Sequence, residues 1–391
     1  MSRSLNNILL SGILLPGILF FACGKSISPQ STSEFSQSSS THVQSGVAQQ
    51  LLNLTGGVRT KLVWLQARLI SEDTANYVSN LSDYIFNAPA SQLVVFDTDE
   101  DTGRFLDPIP SPRSTPVISR DGNKVLWSDY NKKALYMINW DGTGKKILLQ
   151  GNIYQVVYVQ WDDRTSTEWV YVSDVFYYPV VIMSAGSMIY RYALKGMGLD
   201  TANRELISKQ VFFTPWTVSS DGKFAGSIFK WPHPCIESLL DGQLYPVIDS
   251  TGSCMGQIAP DTSYLYLCFH LSHYDLTLYN FINLVPSFRG EVPLNALSGV
   301  DYCAPRWTNH ARYLTIGYPY DAGWFFSYVG TPLPSDPKSI PPGMTGEFCL
   351  GKFDANFTAI DWVRVTDNDI RFRKVMGDAW LADGEGPGKI N

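Results

Sequence analysis

The chain has 391 residues, a formal net charge of −6 and 13% aromatic side chains, with 30 basic residues against 36 acidic ones. That acidic balance argues against a nucleic-acid partner, which needs a cationic face. The length suits one large domain or two ordinary ones.

The first element is the apolar run Ile8 to Ala22, inside MSRSLNNILLSGILLPGILFFACGKS. Its 15 residues fall short of the roughly 20 that cross a bilayer. It follows a small basic start at Arg3, so residues 1–22 read as a signal peptide. Phe20-Phe21-Ala22-Cys23 resembles the lipobox of bacterial lipoproteins, with Phe20 where that box usually has Leu. The resemblance implies cleavage before Cys23, a diacylglycerol on its thiol, and export to the cell envelope at the outer membrane. The side of that membrane is left open. The alternative is an ordinary secretory signal. Loss of residues 1–22 removes one basic residue, Arg3, and leaves a net charge of −7. Residues 23–52 are rich in Ser and Gln, with few apolar side chains to offset their ordering entropy. They read as a flexible tether between membrane and domain. No second apolar stretch is long enough to span a bilayer.

Residues 53–385 read as all-β. PVISRDGNKVLW (116–127), PWTVSSDGKFAG (215–226), MGQIAPDTSYLY (255–266) and APRWTNHARYLT (304–315) repeat one pattern. Each is a short apolar strand, a tight polar turn and a second apolar strand. VVYVQWDDRTSTEWVYV (156–172) is a degenerate copy. The turn anchors Asp121, Asp163, Asp221, Asp261 and Asn309 lie 42, 58, 40 and 48 residues apart, near the spacing of propeller blades. ALYMINWDGTGKKILL (134–149), SQLVVFDTDEDTGRFL (91–106) and EFCLGKFDANFTAIDWV (347–363) supply hairpins for the outer half of a blade. The pattern predicts a six-bladed β-propeller of four-stranded antiparallel blades. Five whole blades start near 112, 153, 211, 252 and 300. The first lacks an inner strand, and GDAWLAD at 377–383 is expected to fill it and close the ring. A seventh blade is left open, because residues 66–90 and 325–346 are long and poorly patterned. Residues 386–391 are a tail.

These S-x-D-G-K turns, followed by an M-x-x-D-G-T hairpin, resemble the TolB-type, WD-like propeller repeat of bacterial envelope proteins over roughly residues 55–385. The resemblance implies a propeller that binds protein partners or sits beside a catalytic domain. No hydrolase domain is expected after the propeller, since the chain runs only to Asn391.

Individual motifs carry little chemistry. Asp97-x-Asp99-x-Asp101-x-Gly103 is a weak calcium candidate. Its glycine comes one place late, Pro108 stands where the closing glutamate belongs, and the repeat wants a hairpin turn there. Gly252-Ser253-Cys254-Met255-Gly256 has the form of a nucleophile elbow, but strand patterning follows it where a helix is required. His270 and His273 lie three apart, which sets them on opposite faces of a strand; in a loop they could converge, and a solvated loop is the favoured reading. Neither a cofactor motif nor a metal centre emerges. Five cysteines follow Cys23, and an odd number leaves at least one thiol unpaired. Cys268, in YLYLCF, is the choice for that thiol. In TolB-like propellers the loops between second and third strands share a face with the blade-to-blade links. Cys235 falls in one such loop and Cys254 starts the next blade, so the two are expected to form a disulfide. No pairing is assigned to Cys303 and Cys349.

The same loops are rich in aromatics: Tyr130; Phe176, Tyr177 and Tyr178; Trp231 with His233; His270, His273 and Tyr274; Tyr318, Tyr320 and Trp324. Flat rings beside polar groups suit a sugar or peptide surface. The expectation is a lipid-anchored binding or scaffold propeller that takes an envelope protein or glycan through this rim. The rival is a glycan-active enzyme, a lyase or hydrolase, with its site at the channel mouth.

Overall fold

The computed structural model describes residues 40–68, 91–111, 113–129, 131–151, 155–173, 187–211, 213–230, 233–247, 253–270, 275–294, 301–320, 347–367 and 372–387. These form six four-stranded antiparallel sheets. Blade 1 holds β1 (Thr60–Arg68), β2 (Ser91–Asp97) and β3 (Thr102–Ser111). Blade 2 holds β4 (Val117–Ile118), β5 (Lys124–Asp129), β6 (Ala134–Asn139) and β7 (Lys146–Gln150). Blade 3 holds β8 (Gln155–Asp162), β9 (Thr167–Ser173), β10 (Ser187–Ala193) and β11 (Glu205–Val211). Blade 4 holds β12 (Phe213–Val218), β13 (Phe224–Lys230), β14 (His233–Ser238) and β15 (Leu244–Pro246). Blade 5 holds β16 (Ser253–Ile258), β17 (Tyr266–His270), β18 (Asp275–Ile282) and β19 (Val285–Pro293). Blade 6 holds β20 (Asp301–Trp307), β21 (Tyr313–Tyr320), β22 (Glu347–Phe353) and β23 (Ile360–Arg364).

The last strand, β24 (Phe372–Leu381), pairs with β1 from Thr60↔Leu381 to Arg68↔Phe372 and becomes the inner strand of blade 1. The ring therefore closes by joining the two ends of the domain, as the sequence predicts. Six sheets settle the blade number, and the seventh blade left open by the long unpatterned stretches does not form among the described residues.

Each blade is buried on both faces. In β1, Leu62 and Trp64 point into the cluster shared with blade 6, while Val63 and Leu65 point into the one shared with blade 2. This is why TKLVWLQ reads as a nearly continuous apolar run. A half-buried strand would alternate. Among the described residues every seam has an apolar cluster. Trp64, Trp127, Trp216 and Trp307 lie fully buried in four of them.

Helix α1 (Val47–Thr55) covers the seam between blades 6 and 1, burying Val47, Ala48, Leu51 and Thr55. Gly56 ends it in the left-handed conformation (φ 75°), which glycine adopts without steric cost. Before the helix, the Gln44 amide donates to the Val365 carbonyl at 3.0 Å and Val43 bridges Thr366. Residues 43–52, read from the sequence as part of the tether, thus contact blade 6 and include most of this helix. Three apolar side chains with helical spacing, Val47, Ala48 and Leu51, have a seam to cover. No helix among the described residues is long and apolar enough to cross a membrane.

Candidate functional site

The turns between first and second strands are built by local side-chain chemistry. In blade 2 the Ser119 hydroxyl donates to Asp121 Oδ1 at 2.5 Å, which also accepts the Asn123 amide at 2.9 Å. Lys124 Nζ donates to Asp121 Oδ2 at 2.5 Å. Blade 4 repeats this with Ser219, Asp221 and Lys223 at 2.8, 3.2 and 2.9 Å. Both turns need φ near +70° at their third residue, Gly122 and Gly222. These hydrogen bonds and lysines lower the pKa of Asp121 and Asp221, although burial, the largest single influence, acts the other way. Asp163, Asp261 and Asn309 sit in the corresponding turns of blades 3, 5 and 6, as expected.

These turns hold side chains at the lip of the central channel, and there a ring of clasps joins every blade to the next. Asp378 Oδ2 accepts the Ile118 amide at 2.9 Å, blade 1 to blade 2. Arg120 Nε donates to the Val159 carbonyl at 2.6 Å, blade 2 to blade 3. Gln160 Nε2 donates to the Ser219 and Ser220 carbonyls at 3.0 and 2.8 Å, blade 3 to blade 4. Thr217 Oγ1 donates to the Ile258 carbonyl and accepts its amide, both at 2.8 Å, blade 4 to blade 5. Gln257 donates to the Pro305 carbonyl at 2.5 Å and accepts the Trp307 amide at 3.2 Å, blade 5 to blade 6. Asn309 donates to the Leu381 carbonyl at 2.9 Å and accepts its amide at 2.7 Å, returning to blade 1. All six side chains are buried, so each backbone group they satisfy would otherwise cost free energy.

Arg306 breaks the pattern. It stands on β20 of blade 6, yet its Nη2 donates to the Val157 carbonyl of blade 3 at 3.0 Å, on the opposite side of the ring. The channel is bridged at this level. Asp378 Oδ1 lies 3.8 Å from Arg306 Nε. The Arg120 guanidinium stacks over the Tyr158 ring at 4.8 Å. Burial lowers the Arg306 pKa, Asp378 opposes the fall and Arg120 adds to it. Burial raises the Tyr158 phenol, against the pull of both guanidiniums. The tail runs along this lip. The Glu385 amide donates to the Asn309 carbonyl at 2.6 Å, and Gly386 packs on the Arg120 carbonyl with no room for a Cβ. Beneath Arg120, the Glu168 carboxylate accepts the Arg120 amide, and burial pushes its pKa up to about 7.

The candidate sites read from sequence fare unevenly. Asp97 and Asp99 do not open toward a cation. They flank the β2–β3 turn, and Arg59 takes both carboxylates, Nη2 reaching Asp97 at 2.7 Å and Nε reaching Asp99 at 2.9 Å, while Asp101 adopts φ 50° in the same turn. Among the described residues no three His, Cys, Asp or Glu side chains group as a metal site. The elbow-like stretch at Cys254 is strand β16, with Cys254 opposite Phe269. Cys235 is buried in β14 opposite Ser227. Cys268 and Cys349 are buried too. Of the aromatic rim, Tyr130, Phe176, Tyr177, Tyr178, Trp231, His273, Tyr274 and Trp324 lie outside the described residues, as does Cys23. His233, His270, Tyr318 and Tyr320 are placed by backbone at the loop ends of their strands, opposite Lys230, Ser253, Glu347 and Asp301. Sequence reasoning missed Arg120, Tyr158, Arg306 and Asp378. The only local signal is an arginine inside one turn motif.

No family model matches the chain, and no curated protein matches it. Among solved structures it is similar to TolB from Acinetobacter baumannii, with 11% identity and a TM-score of 0.50 over 84% of this chain and 69% of that one. A TolB candidate from Agrobacterium tumefaciens shares 11% identity with a TM-score of 0.41, over 83% and 98%. Kuenenia stuttgartiensis hydrazine synthase shares 12% with a TM-score of 0.49, over 85% and 48%. Likenesses this low in identity speak for the fold alone, and the described domain is a six-bladed propeller, the fold it shares with TolB from Acinetobacter baumannii.

Proposed function

We propose that this chain is a binding or scaffold propeller, tethered to the cell envelope through a lipid on Cys23, that takes a protein or glycan at one rim. The observation that supports this reading is the ring of clasps. Buried polar side chains on the inner strands and their turns are committed to neighbouring backbone, which makes a rigid platform for presenting loops from six blades. The rim residues Tyr130, Tyr177, Trp231, His233, His270, His273, Tyr318, Tyr320 and Trp324 are the proposed contact surface. A disulfide between Cys235 and Cys254 would staple two adjacent blades beside that rim. A non-reducing peptide map that finds both as thiols removes it.

The test is in-cell crosslinking of the intact lipoprotein, followed by mass spectrometry of what is captured. Reproducible capture of one envelope protein through the aromatic loops is the expected result. Capture at background level only would refute protein binding and turn attention to glycan arrays, where a bound glycan that is also cleaved would favour the enzyme reading.

A further inference from the structure

The channel interior holds more positive charge than its own carboxylate balances. Arg120 and Arg306 are both about 95% buried. Asp378 is the acid that faces Arg306, and its oxygens are engaged by backbone: Oδ2 accepts the Ile118 amide at 2.9 Å and Oδ1 the Ala379 amide at 3.0 Å. At 3.8 Å its contact with Arg306 is an ion pair without a hydrogen bond. Arg120 uses Nε on Val159 and Arg306 uses Nη2 on Val157. Among the described residues, neither Nη atom of Arg120, nor Nη1 of Arg306, nor the Tyr158 hydroxyl makes a hydrogen bond. Four donor atoms on three side chains thus remain for a ligand. Glu385 at the lip also bears on Tyr158, and it is half-exposed on the tail.

Two guanidiniums buried side by side repel, and burial raises the cost. A guanidinium answers an oxyanion with paired, charge-assisted hydrogen bonds. We propose that the central channel binds an oxyanion, a carboxylate or phosphate group of its ligand, between Arg120 and Arg306, with the Tyr158 hydroxyl as a further donor. The bridge from Arg306 to Val157 sets the depth that the anion reaches. The inference holds for a scaffold and for an enzyme alike, so the crosslinking experiment and the one below fail independently.

The experiment is thermal unfolding and isothermal titration of the full chain at pH 7, with sodium phosphate, sodium acetate or sodium chloride at matched ionic strength. The expected result is a saturable rise in Tm with one oxyanion and one-to-one binding, absent with chloride. Phosphate alone would assign a phosphorylated ligand, and acetate an acidic sugar or a peptide carboxylate. Arg120→Gln should bind at least about tenfold more weakly, the loss of a charged hydrogen bond. Tyr158→Phe, which removes one oxygen, should bind more weakly with an unchanged far-ultraviolet circular dichroism spectrum, and it keeps the test open if Arg120→Gln fails to fold. Equal Tm in all three salts overturns the proposal. So does oxyanion binding that neither variant weakens, because the anion would then sit elsewhere.

Discussion

Two buried carboxyls should give this propeller an acid-shifted stability maximum. Burial pushes Glu168 and Glu237 from 4.5 up to about 7. Glu168 faces Arg120, Asp121 and Lys124, while Glu237 accepts the Ser208 hydroxyl at 2.7 Å. With the folded pKa above the unfolded one, the folded state binds more protons between about 4.5 and 7. Stability therefore falls as pH rises through that window. A shift of 2.5 units at 1.36 kcal/mol per unit is roughly 3 kcal/mol for each group. Below pH 4 the trend reverses. Asp121, Asp162 and Asp221 have lowered pKa values, and what their ionised forms contribute is lost as they protonate. Denaturant unfolding at pH 5, 6, 7 and 8 should show a decline to about pH 7 that levels off by pH 8. Glu168→Gln keeps an oxygen for the Arg120 amide and should flatten its share, gaining roughly 3 kcal/mol at pH 8 and little at pH 4.5. Equal slopes for wild type, Glu168→Gln and the corresponding Glu237→Gln would refute the reasoning.

Gly377 lies on β24, where a Cβ would sit 2.5 Å from the Phe348 ring and against the Val63 carbonyl. Gly377→Ala should destabilise the ring closure by about 1–3 kcal/mol, while Gly290→Ala, with open space around it, should not. Asp378→Ala leaves the Ile118 amide without its acceptor and the buried Arg306 guanidinium without its anion, and should cost about 3–5 kcal/mol in denaturant unfolding. The β18–β19 turn holds Asn283 at φ 52° and Leu284 at φ 64°. Leu284→Gly makes the favoured Asn-Gly turn and should raise stability by about 1 kcal/mol. Burial raises the Cys349 thiol pKa, so a thiol reagent should label it only on unfolding.

What was legible in the sequence is what local chemistry dictates. Ser119-x-Asp121-Gly122 closes a turn with its own side chains, so spacing alone located the blades. Blade 1 lacked an inner strand in the sequence, and its completion by β24 follows from the need to bury a sheet edge. The turn read from Asp97 to Gly103 was legible as a hairpin, but its partner Arg59, 38 residues before Asp97, is invisible to a motif. Helix α1 was hidden for the opposite reason. VAQQLLNLT has helical spacing and a following glycine, but it adjoins a Ser/Gln tract and its N-cap Gly46 makes no side-chain capping bond.

The channel cluster was out of reach because its members are 149 residues apart at Arg306 and Val157 and 260 apart at Asp378 and Ile118. Only ring closure brings them together. The same geometry separates structural groups from functional candidates. Six seams need six clasps, and six other side chains supply them. Arg306 closes no seam. A hydrophobic side chain of similar volume would fill its place without the cost of desolvating a charge. The ring therefore carries a buried cation that its own closure does not require, and an anionic group on whatever the propeller binds supplies the missing reason for it.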